Sequence, residues 1–207
     1  MINFPMPRES IMGAWIMPEG VIDDIWNFWN KSATQDFKTK GGVHHWDDAK
    51  AEYVFLEGET KKSIDMAISP NAFDEPWGTY RKHLQECLNN YIQLYQSANH
   101  SERFDINENY NIQFYKKGEG FSKLHHENLG SSMNVYRHLV FMTYCDDVPN
   151  GGTHFEYQNL TVPCKKGLTV IWPAGFSHSH KGQITKEHEK MIVTGWYSFS
   201  EIYNKLQ

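Results

Sequence analysis

The segment that decides the fold is Arg137–Phe155, RHLVFMTYCDDVPNGGTHF, in which an apolar run precedes a connection rich in turn residues. The apolar part, His138–Cys145, is too apolar to face water on both sides, so it predicts a buried strand. The next part, 146–152, contains two Asp, one Pro, one Asn and two Gly, which are typical of turns. The segment therefore predicts a strand of a sheet followed by a turn.

Short strands recur at close intervals through the rest of the chain after residue 105. Tyr110–Tyr115 alternates apolar and polar residues, Leu168–Trp172 is apolar and stops at a proline, and Met191–Phe199 forms the last long strand. A run of such strands predicts an antiparallel sandwich or barrel.

Helical periodicity dominates before residue 105. A first amphipathic helix is predicted by its apolar face, which consists of Val21, Ile22, Ile25, Trp26 and Trp29. A second is predicted with Asp74 as N-cap and Pro76 in its first turn. Its apolar face consists of Trp77, Tyr80, Leu84, Leu88, Tyr91 and Tyr95. Short strands are expected at 53–56 and 64–68, around a turn at 58–60.

We therefore expect an α+β protein with one domain over 1–207. In this scheme 1–105 is mainly helical support with short strands, and 106–207 is the β core. A length of 207 residues suits one domain with a sizeable core, and 40% hydrophobic residues are typical of a globular chain.

Composition also limits the partners and the compartment. The chain has no apolar run of about 18 residues and no basic-then-apolar start, so no membrane span or signal peptide is expected. The three cysteines, Cys87, Cys145 and Cys164, are widely spaced, which favours free thiols in a reducing, cytoplasmic location. The net charge of −5 and the absence of Lys/Arg clusters longer than two argue against a nucleic-acid backbone groove.

Two short segments carry candidate metal ligands. His125 and Glu127 are two residues apart in KLHHENLG, so on an extended chain they point the same way. His178 and His180 follow the strand that ends at Trp172, in a segment too polar for a core. Two histidines and one carboxylate are the ligands of non-haem Fe(II) oxygenases, and they leave positions open for a cosubstrate and dioxygen. Spacing on a strand does not distinguish His178 from His180.

Lys190 begins the last apolar strand. If it points inward it needs an anionic partner, because burying an unpaired ammonium is costly. The alternative is a lysine whose amine reaches water from the strand end. Tyr144 has the inward parity of Met142 and Val140 and could bind the same anion as Lys190, and Tyr115 is a further candidate.

The C-terminal half, from Asn111 to Phe199, resembles the Fe(II)- and 2-oxoglutarate-dependent dioxygenases of the prolyl 4-hydroxylase type. The corresponding stretches, in order, are FYKKGEGFSKLHHEN, RHLVFMTYCDDVPNGGTHF, VPCKKGLTVIWPAGFSHSHKG and KMIVTGWYSF. Their order and approximate spacing match those of the family. The chain departs from the family pattern at Glu127, where Asp is usual, and at Cys145, where the family more often has a Leu-Asn type of sequence.

The resemblance implies a double-stranded β-helix, or jelly roll, with the N-terminal helices on its major sheet. It implies Fe(II) bound by His125, Glu127 and His180, because the family's cosubstrate-binding base lies about ten residues after the distal ligand, and Lys190 is ten after His180. It also implies 2-oxoglutarate held by Lys190, Tyr144 and Tyr115, with O2 as oxidant and ascorbate as a further candidate cofactor.

The resemblance further implies hydroxylation of a C–H bond, with a prolyl residue in a peptide or protein as the leading substrate. Free amino acids and small metabolites are alternative substrates. A second class of function is a metal-binding, cupin-like sensor without turnover, against which Lys190 argues because such a module needs no cosubstrate anchor. A third, nucleic-acid demethylation, is disfavoured by the net charge of −5.

Overall fold

Strands provide most of the regular structure in the computed structural model, which describes residues 1–47, 52–57, 60–100, 102–130 and 132–200. The strands are β1 (Ile2–Phe4), β2 (Gly13–Ile16), β3 (Thr39–Asp47), β4 (Glu52–Glu57), β5 (Ser63–Ile68), β6 (Phe104–Asp105), β7 (Tyr110–Tyr115), β8 (Arg137–Tyr144), β9 (Val148–Phe155), β10 (Leu160–Cys164), β11 (Leu168–Pro173), β12 (His180–Gly182) and β13 (Lys190–Phe199). The helices are α1 (Glu19–Asn30) and α2 (Trp77–Leu94). Short 3₁₀ helices cover Arg8–Ser10, Ser32–Phe37, Gln96–Asn99, Ser132–Tyr136 and Phe176–His178.

The strands form two antiparallel sheets. The larger has ten strands in the order β1-β2-β11-β8-β13-β7-β5-β3-β4, with β6 paired to β13, and the smaller has the order β10-β9-β12. The predicted strands β7, β8, β11 and β13 lie side by side at the centre of the larger sheet. Both faces of strand β8 are buried, with Phe141 in one apolar cluster and Val140 and Met142 in another, which accounts for its nearly continuous apolar sequence.

The N-terminal half contributes more to the sheet than its sequence pattern indicated. Strand β2 pairs with β11, and β1 pairs with β2, so both extend the sheet beyond the C-terminal core. Strands β4 and β5 confirm the prediction of strands at 53–56 and 64–68, and each of them pairs with β3. The turn predicted at 58–60 includes residues 58 and 59, which lie outside the described part of the chain.

Both predicted helices form, and they cover one face of the larger sheet. Ile25 of α1 and Tyr80 of α2 belong to the same buried cluster as Phe141, Val193 and other sheet residues. The Tyr80 hydroxyl also lies 3.0 Å from the Thr143 hydroxyl of β8. Among the described residues, neither helix is both long and apolar enough to cross a bilayer.

The predicted N-cap of α2 is wrong. Pro76 occupies the N-cap position and the helix begins at Trp77. The first turn is instead completed by the Glu75 carboxylate, which accepts hydrogen bonds from the backbone N–H of Thr79 at 3.4 Å and from its hydroxyl at 2.8 Å. Asp74 contributes only its backbone carbonyl, which accepts from Trp77 and Gly78.

A second buried cluster lies on the opposite face of the larger sheet, between it and the smaller sheet. It combines Val140, Met142 and Tyr144 of β8 with Phe155 of β9 and Trp172 of β11. From Val140 to Tyr144, the even-numbered side chains of β8 therefore face the inter-sheet space, as predicted for Tyr144 from parity. This two-sheet layout with helices on the outer face of the larger sheet agrees with the predicted jelly roll, and it places a cavity between the sheets.

Candidate metal centre

Backbone pairing brings two distant segments together at the mouth of the inter-sheet cavity. The His125 N–H donates to the His180 carbonyl at 3.0 Å, and the His180 N–H donates to the His125 carbonyl at 2.8 Å. This reciprocal pair fixes the two histidines directly opposite each other, as in a hydrogen-bonded antiparallel pair. Two residues further on, the Glu127 N–H donates to the Ala174 carbonyl at 3.0 Å, so the carboxylate residue is also held by its backbone.

The side chains of His125, Glu127 and His180 converge. Glu127 Oε1 lies 3.4 Å from His125 Nε2 and 3.7 Å from His180 Nε2. One potential ligand atom from each of the three residues lies within 4.8 Å of the others. Of the two candidate upstream histidines, His125 is the one in this group, and His126 lines the cavity outside it.

Hydrogen bonds at the far side of each ring determine which imidazole nitrogen faces the group. His125 Nδ1 lies 2.8 Å from the Lys123 carbonyl, and His180 Nδ1 lies 2.9 Å from the His178 carbonyl. Because a carbonyl can only accept, each Nδ1 carries the hydrogen. In the neutral ring the Nε2 lone pair is then directed toward Glu127, which is the arrangement found in metal-bound histidines.

The electrostatics of the group favour this neutral form for one ring and the ionised form for the carboxylate. Burial, with the neighbouring His125 as a second cause, lowers the pKa of His180 to about 4, so its ring is neutral at pH 7. Burial alone would raise the pKa of Glu127, but the contact with His125, the positive charges that His125 and His180 carry when protonated, and the charge of Arg137 outweigh burial and hold that pKa well below its usual range. A carboxylate and imidazole lone pairs directed at one point repel each other unless a cation lies between them.

His178 is placed differently from His180. Its Nε2 donates to the Ser10 carbonyl at 2.9 Å, and its Nδ1 lies 3.0 Å from the Ser177 hydroxyl. The ring is 2% exposed, and burial lowers its pKa. Both ring nitrogens are therefore engaged away from Glu127.

At the other end of the cavity, Lys190 is buried. Its ammonium donates to the Gly151 carbonyl at 2.7 Å and to the Gln183 carbonyl at 3.2 Å, which leaves one N–H. No carboxylate of the described residues lies within ion-pair distance of it, and burial lowers its pKa. Lys190 is therefore buried and points inward, and the alternative of an amine that reaches water does not describe it.

The two predicted tyrosines differ in what their hydroxyls contact. Tyr144 donates to the Thr153 hydroxyl at 2.7 Å, and both residues line the cavity with Lys190. Tyr115 donates to Gln113 Oε1 at 2.6 Å, and the Lys190 amine lies 5.3 Å from its ring centre. Burial raises the pKa of both tyrosines, so both keep their proton at neutral pH.

One cavity of about 670 Å³ joins these two ends. Its wall includes the His125–Glu127–His180 group, the Lys190–Tyr144–Thr153 group and apolar side chains between them. Met142, Trp172 and Ile192 are among the latter. The volume is in the range of sites that enclose a small molecule.

The fold of this chain recurs in solved structures of known proteins. A viral collagen prolyl hydroxylase from Paramecium bursaria Chlorella virus 1, in complex with 2-oxoglutarate, matches 92% of this chain and 97% of its own at 14% identity and a TM-score of 0.62. A Pseudomonas putida prolyl 4-hydroxylase matches 94% of this chain and 100% of its own at 11% identity and a TM-score of 0.62.

A Trichoplax adhaerens prolyl hydroxylase, in complex with a peptide fragment of the oxygen degradation domain of hypoxia inducible factor, matches 96% of this chain and 87% of its own at 12% identity and a TM-score of 0.67. This chain has the double-stranded β-helix fold of the 2-oxoglutarate oxygenases. The predicted fold class is thereby confirmed. By sequence, the chain matches no protein-family model and no curated protein.

Sequence reasoning missed two residues that contact this site. Thr153 follows the Gly-Gly pair of the segment predicted as a turn, which from Val148 onward is strand β9, and its hydroxyl is the partner of Tyr144. Arg137 contacts Glu127 from the start of β8, with Nη1 3.3 Å from Oε2. Strand parity counted from Tyr144 puts Arg137 on the helix-facing side. The pairing of β8 with β13 shifts between Tyr197 and Ser198, however, and this irregularity turns Arg137 toward the cavity.

Proposed function

We propose that this protein is an Fe(II)- and 2-oxoglutarate-dependent dioxygenase that hydroxylates a C–H bond, with a prolyl residue of a peptide or protein as substrate. The observation that carries the proposal is the pairing of two features in one cavity. A cluster of two imidazole nitrogens and a carboxylate oxygen needs a cation, and a buried ammonium at the other end needs an anion. A metal chelated by an oxo-dicarboxylate satisfies both.

The donor set of the cluster fits Fe(II). His125, Glu127 and His180 supply two nitrogens and one oxygen on one side of a shared point, which leaves the other coordination positions open. The hydrogen bonds at each Nδ1 hold the rings in the required tautomer, so no proton has to be displaced from Nε2 of His180 at neutral pH. Both ring nitrogens of His178 already have hydrogen-bond partners, which supports the choice of His180 as the distal ligand.

The remaining residues have separate tasks. Lys190 binds the distal carboxylate of 2-oxoglutarate with its third N–H, and the Tyr144–Thr153 hydroxyl pair offers a further hydrogen bond to the same carboxylate. Met142, Trp172 and Ile192 exclude water from the space between the two polar ends. When bound, Fe(II) and 2-oxoglutarate supply the oxidising power, since one oxygen atom of O2 enters the substrate and the other enters succinate as CO2 is released.

Proline as the target is supported by the structural neighbours. Three of them are named as prolyl hydroxylases, and the one from Trichoplax is in complex with a peptide. On this basis we propose a peptide substrate for this protein as well. A free amino acid or a small metabolite is the alternative that the experiment has to separate.

The test is a coupled measurement of succinate and substrate oxygen. Protein prepared without oxygen is loaded with Fe(II) and given 2-oxoglutarate, O2 and ascorbate, with proline-containing peptides or the same peptides carrying alanine instead. We expect succinate formation matched by one oxygen atom gained on the proline peptide only. Matched turnover with free amino acids and not with peptides would overturn the peptide substrate. Bound iron without succinate above a metal-free control would overturn the enzyme and leave a metal-binding module.

Location stays a prediction. The three cysteines are free and buried, as expected for a reducing compartment. We propose a cytoplasmic site of action on this basis, and fractionation of the cells that produce the protein tests it.

A further inference from the structure

The two oxygens of the Glu127 carboxylate face different partners. Oε1 faces His125 and His180, at 3.4 and 3.7 Å from their Nε2 atoms. Oε2 faces away from the histidines and accepts from Trp196 Nε1 at 3.0 Å and from Arg137 Nη1 at 3.3 Å. Only one oxygen is therefore presented to the space between the histidines.

Arg137 is itself fixed from two sides. Its Nε and Nη2 donate to the two oxygens of Glu108 at 3.0 and 2.7 Å, a fork that matches the planar guanidinium. Its guanidinium carbon lies 3.4 Å from the centre of the Trp196 ring, so the cation stacks on the indole that also binds Glu127. The Ser198 hydroxyl donates to the Glu108 carboxylate at 3.1 Å and so helps to fix its position. We call Arg137, Trp196 and Glu108 the carboxylate clamp.

The side chain of a glutamate at position 127 is more mobile than that of an aspartate, and the carboxylate clamp restricts it. Compared with an aspartate, its side chain has an additional rotatable bond, so its carboxylate can swing away from the histidines or turn to present both oxygens. Ordering such a side chain costs conformational entropy. Hydrogen bonds to Oε2 remove both freedoms. A further contact of Arg137, from Nη1 to the Glu127 carbonyl at 3.4 Å, holds the backbone of Glu127.

The charges of the group explain why Arg137 matters more than a neutral donor would. The side chains of Glu108 and Glu127 are 14% and 17% exposed, and Arg137 lies between them. Without its positive charge, two partly buried carboxylates would repel each other across the same space. Glu127 would then rotate toward water and away from the histidines.

We propose that Arg137 and Trp196 are positioning residues that hold Glu127 as a one-oxygen metal ligand, with Glu108 fixing Arg137. This inference rests on the proposed function, because it concerns the same metal site. It assigns a reason for the departure from aspartate: the clamp is built to the length of a glutamate. An aspartate at 127 would have to give up either the clamp or the approach to the histidines.

The experiment titrates Co(II) into the whole protein without oxygen and follows both affinity and the visible absorption spectrum. Arg137→Gln is expected to weaken Co(II) binding 10- to 100-fold, the usual range for residues that orient a ligand, and to change the spectrum. Arg137→Lys is expected to restore little, because a lysine cannot contact both glutamates as a fork. Trp196→Phe keeps an aromatic ring beside Arg137 but removes the N–H that binds Glu127, and it should show a smaller loss in the same direction.

Arg81→Gln is the matched control. Arg81 also lies over an aromatic ring, 4.7 Å from the centre of Phe73, and 3.8 Å from a carboxylate oxygen of Asp105, but on the helix side. Its loss should leave Co(II) affinity and spectrum unchanged. If Arg137→Gln does not fold, as judged by circular dichroism, Trp196→Phe decides the question.

A double-mutant cycle separates positioning from general support. Glu127→Asp and Arg137→Gln should each weaken Co(II) binding, and their combination should cost clearly less than the product of the single effects. Wild-type protein that binds no Co(II) would overturn the proposed function and the clamp together. If the wild-type protein binds Co(II) and the Arg137→Gln and Trp196→Phe variants bind it with unchanged affinity and spectrum, the clamp alone is overturned.

Discussion

The two faces of strand β13 have opposite characters. The helix-facing side chains of the strand include Met191, Val193 and Tyr197. The cavity-facing side chains include Lys190, Ile192, Thr194 and Trp196. The first face is closed and apolar and packs on α1 and α2, whereas the second carries a lysine amine and an indole N–H that bind partners. Because neighbouring residues of a strand point to opposite faces, one strand serves both the core and the site.

The difference separates residues that stabilise the fold from residues that line the candidate site. Tight apolar packing on the helix face stabilises the sheet. On the cavity face, Lys190 is buried with no carboxylate partner in the described part of the chain, which is costly for folding. Substitutions on the two faces should therefore fail in different ways.

The largest effect is expected at the metal cluster on the cavity side. His180→Ala removes one of three converging donors, and we expect Co(II) or Fe(II) affinity to fall by more than about 100-fold, beyond the range typical of residues outside the ligand set. His178→Ala should spare metal binding, since its ring contacts Ser10 and Ser177. Anaerobic titration of both variants measures this. The opposite ranking of the two would reverse the ligand assignment.

On the helix face, Met191→Ala should cost stability and leave the site intact. Met191 is fully buried, and truncation of such a side chain to alanine costs about 2–5 kcal/mol of unfolding free energy. Urea unfolding gives the free energy, and Co(II) titration below the transition gives the affinity, which should match wild type. Unchanged stability would show that this face is not the packed one.

Lys190→Ala, one residue away on the cavity face, should weaken 2-oxoglutarate binding and have little effect on stability. Loss of a charge-assisted hydrogen bond to a carboxylate is worth about 1.5–3 kcal/mol, so we expect the apparent Kd for 2-oxoglutarate to rise roughly 10- to 100-fold. Metal affinity should be unchanged, and the unfolding free energy should change little, because removal of a buried ammonium offsets the loss of its hydrogen bonds to the Gly151 and Gln183 carbonyls. Calorimetric titration of 2-oxoglutarate into metal-loaded protein measures the first. Unaltered 2-oxoglutarate binding would remove Lys190 from the site.

The smallest effect is expected for Tyr144→Phe. The ring stays in the buried cluster and only the hydroxyl that contacts Thr153 is lost, which is worth about 1 kcal/mol. We expect 2-oxoglutarate binding to weaken roughly 5-fold. Thr153→Val should give a similar loss if the two hydroxyls act together. A strong effect of one variant with none for the other would show that a single hydroxyl binds the ligand.

Alternation of side chains made much of this architecture predictable. It identified β7 and placed Tyr144 on the inner face, while runs of apolar residues identified β8, β11 and β13. The pairing of His125 with Glu127 also followed from their spacing. These features depend on residues close in sequence, whose relative direction the backbone geometry of a strand determines.

Features that depend on distant partners were not predictable in the same way. Strands β1 and β2 are short and exist because β11 offers an edge to pair with. Arg137 faces the cavity only because the pairing of β8 and β13 shifts near its position. Strand spacing did not distinguish His178 from His180, and His180 was chosen only through the family resemblance; the structural difference between them, the contact of His178 with Ser10, joins residues 168 apart in sequence.

That last contact has a practical consequence for anyone who shortens the chain. The Ser10 carbonyl accepts a hydrogen bond from the His178 ring, and the backbone carbonyl of His178 orients the ring of His180. Nearby, the backbone of 13–16 pairs with β11. A truncation that starts the protein at residue 18 would therefore remove a support of the distal histidine as well as an edge of the sheet. Inactivity of such a shortened protein would say nothing about the chemistry of the intact one.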